Sequence, residues 1–270
     1  MPRPDLRTPD SFEHSQLAIA DFDGTAAQTF EQSPAGIDVR IAYEAAVEFV
    51  FGQDGLEKYE EAGGLQNRAP IEVVQSLAPE ASSDQVKQLT EQLVRVKLDV
   101  LLAEVGTHFS EGGTWPRSMP GYLEFLKELE AARENGQPID DLILSSGHMP
   151  FIEKTFDSWE ATLPDHIIAE ETLKELKLGH IYKPSPVLMD LAEGLWRQNY
   201  GLNRKIPVGT NDRSRIKYIG DSEIMDGGLA FNSGVDFSLI SQKNSAEAWK
   251  KFGKSLDLGR IGLNESHHDK

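Results

Sequence analysis

The sequence predicts an α/β chain: a doubly wound parallel sheet of about five strands that receives an all-helical insert after its first strand. Three observations lead there. Short apolar runs recur along the chain with helical patterns between them: Leu17-Ala18-Ile19-Ala20, Leu142-Ile143-Leu144, Ile167-Ile168-Ala169, Lys217-Tyr218-Ile219-Gly220 and Val235 to Ile240. A long stretch between the first two runs, Ile37 to Gly106, has helical periodicity and no obvious strand. Finally, three of the runs lead into a polar residue, Asp21, Ser145 or Asp221, at their carboxyl ends, the edge at which open α/β sheets bind ligands.

Taken in order, Met1 to Ser15 is polar, carries Pro2, Pro4 and Pro9, and reads as a disordered lead. Leu17 to Ala20 suits a strand buried on both faces. In the insert, Ile41, Ala45, Val47, Phe49 and Val50 recur near a helical period, as do Val86, Leu89, Leu93, Val96, Leu98, Leu101 and Leu102. Gly52, Gly55, Gly63-Gly64 and Pro79 interrupt them, which predicts three or four helices. Pro120-Gly121 opens a helix over Tyr122 to Glu134, closed by Asn135-Gly136; Pro150 to Ala161 and Pro186 to Tyr200 are further helices. The expected layout is a lead over 1–15, a Rossmann-like core over 16–32 and 107–262, a helical insert over 33–106, and a frayed tail over 263–270 containing His267 and His268.

Bulk properties narrow the functions. The 270 residues suffice for a core domain plus a smaller one, and 39% hydrophobic with 26% charged residues reads as globular. A net charge of −17 opposes nucleic acid and anionic membranes, so neither is expected as a partner. It also opposes phosphorylated ligands, so a phosphate site would need local cations and a metal. There is no cysteine, which excludes a disulfide framework and a thiolate nucleophile. With no secretory leader and no apolar run of membrane-spanning length, a cytoplasmic location is expected.

Asp21 and Asp23 flank Phe22, and side chains two apart on an extended strand end share a face. One carboxylate can attack phosphorus, while a second protonates the leaving oxygen and then activates water. Gly24 lets the backbone turn, and Thr25 offers a hydroxyl to the turn or to a ligand. A loop with two solvated acids is the plain alternative; a calcium loop is excluded because Ala26 and Gln32 occupy the places of its glycine and glutamate. The Ser145 hydroxyl with the amides of Ser146 and Gly147 makes a small anion-binding concavity, or an ordinary Ser-Gly turn. His148 is open between a substrate contact, a helix cap and a solvated side chain. Lys183, between Tyr182 and Pro184, could neutralise a phosphoryl group or lie on the surface. Asp221, Glu223 and Asp226 supply hard oxygens for magnesium, although Asp226 could equally cap a turn with Gly227-Gly228.

The order of these pieces, acid pair, serine, lysine, acid cluster, resembles the haloacid dehalogenase superfamily over about Leu17 to Ile240. The resemblance implies that Asp21 is the nucleophile and Asp23 the acid/base of a phosphatase. It implies that Ser145 and Lys183 bind the phosphoryl group, beside which Thr25, Ser146 and Gly147 are expected to contribute as read above. Magnesium (Mg2+) would be held by Asp21, Asp23, Asp221 and Asp226, with Glu223 as a lesser candidate. The helical insert resembles the family's cap, in which Gly63 to Arg68 resembles the specificity loop and Arg68 could reach a substrate anion. The implied function is hydrolysis of a small phosphorylated metabolite, with a phosphomutase or a non-catalytic binding protein as alternatives. Two features depart from the family pattern: Ala26-Ala27-Gln28 replaces the usual Leu-x-Asp, and Asp226 follows Asp221 by five residues where four is commoner.

Overall fold

The computed structural model describes residues 7–64, 69–179, 181–203 and 213–258. In chain order its main elements are β1 (Gln16–Ala20), α1 (Val39–Glu61), α2 (Pro70–Leu77), α3 (Ser83–Glu104), α4 (Tyr122–Glu134), β2 (Ile139–Leu144), α5 (Met149–Ser158), β3 (His166–Ile168), α6 (Glu170–Glu175), α7 (Val187–Asn199), β4 (Ile216–Gly220), α8 (Gly228–Ser233), β5 (Asp236–Leu239) and α9 (Ser245–Ser255). They form two compact units. The first is built from the described residues of Met1–Gln28, Ser118–Met149 and Ala161–Lys270, the second from those of Thr29–Arg117 and Pro150–Glu160.

The first unit carries a five-stranded parallel sheet in the order β3-β2-β1-β4-β5. The apolar run of β1 places it centrally: Leu17 pairs with Asp140 on one side and with Ile216 on the other. Leaving β1, the chain builds outward through β2 and β3, then crosses to the other side for β4 and β5. The carboxyl ends of β1 and β4 therefore flank a point where strand order reverses. Leu17, Ile19, Leu142, Leu144 and Tyr218 bury one face of the sheet against Leu188, Met189, Ala192 and Trp196 of α7. Ala18 and Ala20 line the opposite face with Tyr122 and Phe125 of α4 and Phe252 of α9. No helix among the described residues is long and apolar enough to cross a membrane.

Two expectations change here. Part of the expected disordered lead is structured, because Pro9–His14 forms a 3-10 turn capped by Thr8. The reason is Phe12, which is buried among Trp196 at 4.6 Å and Tyr200 at 5.4 Å between ring centroids, with the Arg215 guanidinium 4.7 Å from its own ring centre. β2 also starts three residues earlier than its apolar run. Asp140 and Asp141 are buried in it, Asp140 bonded to Arg7 at 2.7 Å and to the Tyr200 hydroxyl at 2.6 Å, Asp141 to Arg133 at 2.6 Å.

The second unit is largely helical. α1, α2 and α3 enclose a core of Tyr43, Ala46, Val47, Tyr59, Val73, Val74, Val86 and Leu93. Gly52, non-helical at φ 72° and ψ −178°, divides α1 into two helical segments across a kink, the interruption expected there. The unit is wider than the expected insert. The residues after α3 and most of α5 belong to it, since Trp115 packs on Phe151 at 5.9 Å and the Trp159 indole donates to Pro116 O at 2.7 Å. Arg68 and the tail expected at 263–270 lie outside the described residues.

The burial of Phe12 yields a test. Phe12→Ala is expected to destabilise the protein by about 3–5 kcal/mol, the usual loss for a truncated buried aromatic, read by chemical denaturation. A variant as stable as wild type would show that this segment is no part of the core.

Candidate active site

Asp21 follows β1 directly, and its amide donates to Ile219 O of β4 at 3.0 Å, which holds it at the central edge. The chain then winds tightly. The buried Phe22 carbonyl accepts from the amides of Thr25, Ala26 and Ala27 at 3.3, 3.0 and 2.9 Å. Gly24 turns the corner at φ 76°, a conformation that other residues rarely adopt. Gln28, where the family pattern has an acid, donates its amide to Ser118 O at 2.9 Å, so it serves the backbone.

Lys183 is the centre of the site. Its buried ammonium lies 2.5 Å from Asp21 Oδ1 and 2.7 Å from Asp226 Oδ1. Burial alone would lower its pKa, but Asp21, Tyr218 and Asp226 outweigh burial and hold it well above the ordinary lysine value. Burial pushes the Asp21 carboxyl well above the carboxylate range; Lys183 opposes the shift, and Asp226 and Asp23 add to it. Asp221 is exposed as a residue, yet partial desolvation of its carboxyl, with Asp226 and Asp23 nearby, raises it to about 6 against the pull of Lys183.

Carboxylate oxygens of Asp21, Asp221 and Asp226 lie within 4.8 Å of one another. Glu223 is exposed and outside this group. The five-residue step from Asp221 to Asp226 has a structural cause: Glu223–Gly227 forms a π-helical turn, in which Ser222 O accepts from Asp226 N–H at 2.9 Å and Gly227 N–H at 3.0 Å. The extra residue is absorbed by the wider turn, and Asp226 still reaches Lys183. Asp226 caps nothing in Gly227-Gly228; its Oδ2 instead accepts from the Ser222 amide at 3.1 Å.

The donor set fits a hard divalent cation. Asp21, Asp221 and Asp226 interact with one ammonium, and the Asp23 charge adds to those of Asp21 and Asp221, so a single cation faces an excess of carboxylates. Asp23 Oδ1 is buried and has no hydrogen-bond partner among the described residues. Thr25 Oγ1 is in the same state.

Ser145 is buried at the end of β2, its amide bonded to Ile168 O at 2.9 Å. The Gly147 amide donates to Ser145 Oγ at 2.8 Å, the Ser-Gly turn left open beside the anion site. The Ser145 hydroxyl, as acceptor of that bond, keeps its own proton to donate. Ser146 is exposed. A Cβ on Gly147 would stand 3.1 Å from Ser145 Oγ and 3.2 Å from Asp23 Oδ2, which brings serine and acid pair to one place. His148 is neither solvated nor a backbone cap: it is buried, with Nδ1 3.0 Å from Glu171 Oε1, while Glu171 Oε2 accepts the Met149 amide at 2.7 Å. The sequence reading overlooked Tyr218, whose hydroxyl donates to Asp226 Oδ1. Burial, with Asp226 and Asp21 outweighing Lys183, holds that phenol well above its ordinary pKa. An aromatic residue in an apolar strand reads as core, and nothing in the sequence marks it otherwise.

Neither a family model nor a curated protein sequence matches the chain. Solved structures do. Beta-phosphoglucomutase from Clostridium difficile is 11% identical, with 88% of this chain and 98% of that one covered at a TM-score of 0.52. A hydrolase from Pseudomonas syringae is 14% identical, covering 88% and 89% at 0.49. A haloacid dehalogenase-like family hydrolase from Xanthomonas campestris is 11% identical, covering 90% and 94% at 0.45. The first of these likenesses establishes a shared fold. The chain thus has the α/β fold, a five-stranded parallel sheet with a largely helical second unit, expected from the resemblance of its motifs to the haloacid dehalogenase superfamily.

Close packing at Gly220 gives a prediction. A Cβ there would meet Asp226 Cγ at 2.5 Å, a clash that only displacement of the carboxylate relieves. Gly220→Ala should therefore cost about 1–3 kcal/mol by overpacking, and Gly147→Ala less. Chemical denaturation of both variants checks the ranking.

Proposed function

We propose that the chain is a magnesium-dependent phosphatase that hydrolyses a small phosphate monoester through an aspartyl-phosphate on Asp21. The observation that carries this reading is the Lys183 ammonium 2.5 Å from Asp21 Oδ1, with the Asp221 and Asp226 oxygens alongside. A nucleophilic carboxylate, a fixed cation and a hard-oxygen cluster at one sheet edge are the parts that phosphoryl transfer requires, since positioning and charge stabilisation dominate its catalysis.

In the first step an Asp21 oxygen bonds to phosphorus as the ester P–O bond breaks, and protonated Asp23 gives its proton to the leaving oxygen. Lys183 stays charged throughout and faces the negative charge of the transferring group. The Ser145 hydroxyl, oriented by the Gly147 amide, donates to a phosphoryl oxygen. In the second step Asp23 takes a proton from water, the water oxygen bonds to phosphorus, and the Asp21–phosphorus bond breaks to release inorganic phosphate. A magnesium ion held by Asp21, the Asp23 carbonyl, Asp221 and Asp226 would add positive charge against the phosphoryl oxygens. The substrate class is a small phosphorylated metabolite.

The second reading, a phosphomutase on a sugar phosphate, draws its support from the fold match to a beta-phosphoglucomutase. It would use the same residues and return the phosphoryl group to another hydroxyl. Phosphate released in proportion to ester consumed favours the phosphatase; product without phosphate favours the mutase.

Two measurements follow. Purified protein should release phosphate from an aryl phosphate only with magnesium, and Asp21→Asn should lower kcat by roughly 10³-fold or more, as loss of a nucleophile does. Retained activity in that variant would refute the role of Asp21. Protons should also compete with the metal. Because the metal-free Asp221 carboxyl titrates at about 6, magnesium binding below that pH must displace a proton. The dissociation constant measured by calorimetry should rise as the pH falls below 6, by ~10-fold per pH unit for each proton displaced. A constant independent of pH from 5 to 7 would contradict this.

A further inference from the structure

We propose that Tyr218 is a positioning residue of this site: its hydroxyl fixes the Asp226 carboxylate so that Asp226 holds the Lys183 ammonium against Asp21. The inference rests on the phosphatase reading and deepens it.

Tyr218 stands on β4 and is fully buried. It shares a strand face with Gly220, since side chains alternate along a strand. Gly220 has no side chain, and the Asp226 carboxylate occupies the space one would fill, 2.5 Å from a Cβ built there. Tyr218 therefore meets Asp226 from the same face of the same strand. Three donors then bind that carboxylate, which keeps acceptor capacity on Oδ2. Oδ1 accepts from the Tyr218 hydroxyl and, at 2.7 Å, from Lys183 Nζ; Oδ2 accepts from the Ser222 amide at 3.1 Å. The ring also lies beneath the lysine, with Nζ 5.7 Å from its centroid. Tyr218 thus touches both members of the pair it would align.

The hydroxyl is what needs explaining. On β4, Ile216 and Ile219 are apolar and buried, and Tyr218 packs on Phe237 at 5.8 Å between centroids. Phenylalanine would fill that space equally well. A buried phenol is tolerated only where its proton finds an acceptor, and here the acceptor is the carboxylate that steers Lys183. Without it, Asp226 Oδ1 is left with the mobile lysine as sole donor, and the four-carbon lysine stem loses its fixed terminus.

The test uses full-length protein with magnesium: kcat and KM on an aryl phosphate, and calorimetric titration with inorganic phosphate. Tyr218→Phe is expected to lower kcat and weaken phosphate binding, each by about tenfold, as loss of one hydrogen bond to a charged group does, with its melting temperature near wild type. In an Asp226→Asn background the same substitution should add less than ~2-fold, because its route is already cut. Phe237→Leu, which disturbs the ring's packing and spares the hydroxyl, should leave both readouts within ~2-fold of wild type. Unchanged kcat and phosphate affinity in Tyr218→Phe overturn the inference. So does an undiminished effect in the Asp226→Asn background, or an equal loss in Phe237→Leu. One measurement needs no variant: a Tyr218 hydroxyl proton slowed in exchange should appear in the wild-type NMR spectrum, and its absence contradicts the bond. If wild-type protein itself neither binds phosphate nor hydrolyses esters, the phosphatase reading fails, and this inference falls with it.

Discussion

Lys183 places an ammonium between two buried carboxylates, and much of the surrounding structure serves to hold it there. Taking such ions out of water costs several kcal/mol each, and their attraction offsets this only when geometry is tight and every remaining polar atom is bonded. The site meets that condition on one side. Asp226 is bonded by Lys183, Tyr218 and the Ser222 amide. It does not meet it on the other, where Asp23 Oδ1 and Thr25 Oγ1 are buried with no partner among the described residues. The asymmetry separates a fixed cation from an under-satisfied region, as expected of a site built to receive charged ligands.

The topology explains why these groups meet. Central β1 delivers Asp21, β2 delivers Ser145, and β4 delivers Asp221. All three strands run parallel, so their carboxyl ends share one edge. Lys183 and Asp226 come from connections rather than strand ends, and each needs a special device. For Asp226 this is the π-helical turn with a bare Gly220 beneath it. For Lys183 it is the pair of carboxylates themselves.

Most of the core was legible because its signals were local. Leu17 to Ala20 and Tyr122 to Glu134 announce a strand and a helix by apolar period and by flanking turn residues, and the structure has both in place. Features depending on distant partners were not legible. Asp140 and Asp141 look like the polar edge of a strand until Arg7, Arg133 and Tyr200 are seen to pair them. Phe12 looks like an isolated aromatic in a polar lead until Trp196 closes on it. The site divides in the same way. Asp21, Ser145, Lys183 and Asp221 stand at motif positions, whereas the Gly147 amide bonds to the Ser145 side chain, a choice between two acceptors that spacing cannot decide. Tyr218 was hidden because its ring satisfies the strand pattern and only its hydroxyl belongs to the site.

The central claim is that Asp21 itself carries the phosphoryl group. The most direct measurement is rapid acid quench of the magnesium-loaded protein during turnover of an ester labelled in its phosphoryl group, followed by peptide mapping. The account predicts a transient, acid-stable, hydroxylamine-labile label on the peptide containing Asp21, formed and lost at rates compatible with turnover. Label on any other residue, or steady turnover with no covalent label at any quench time, would contradict it.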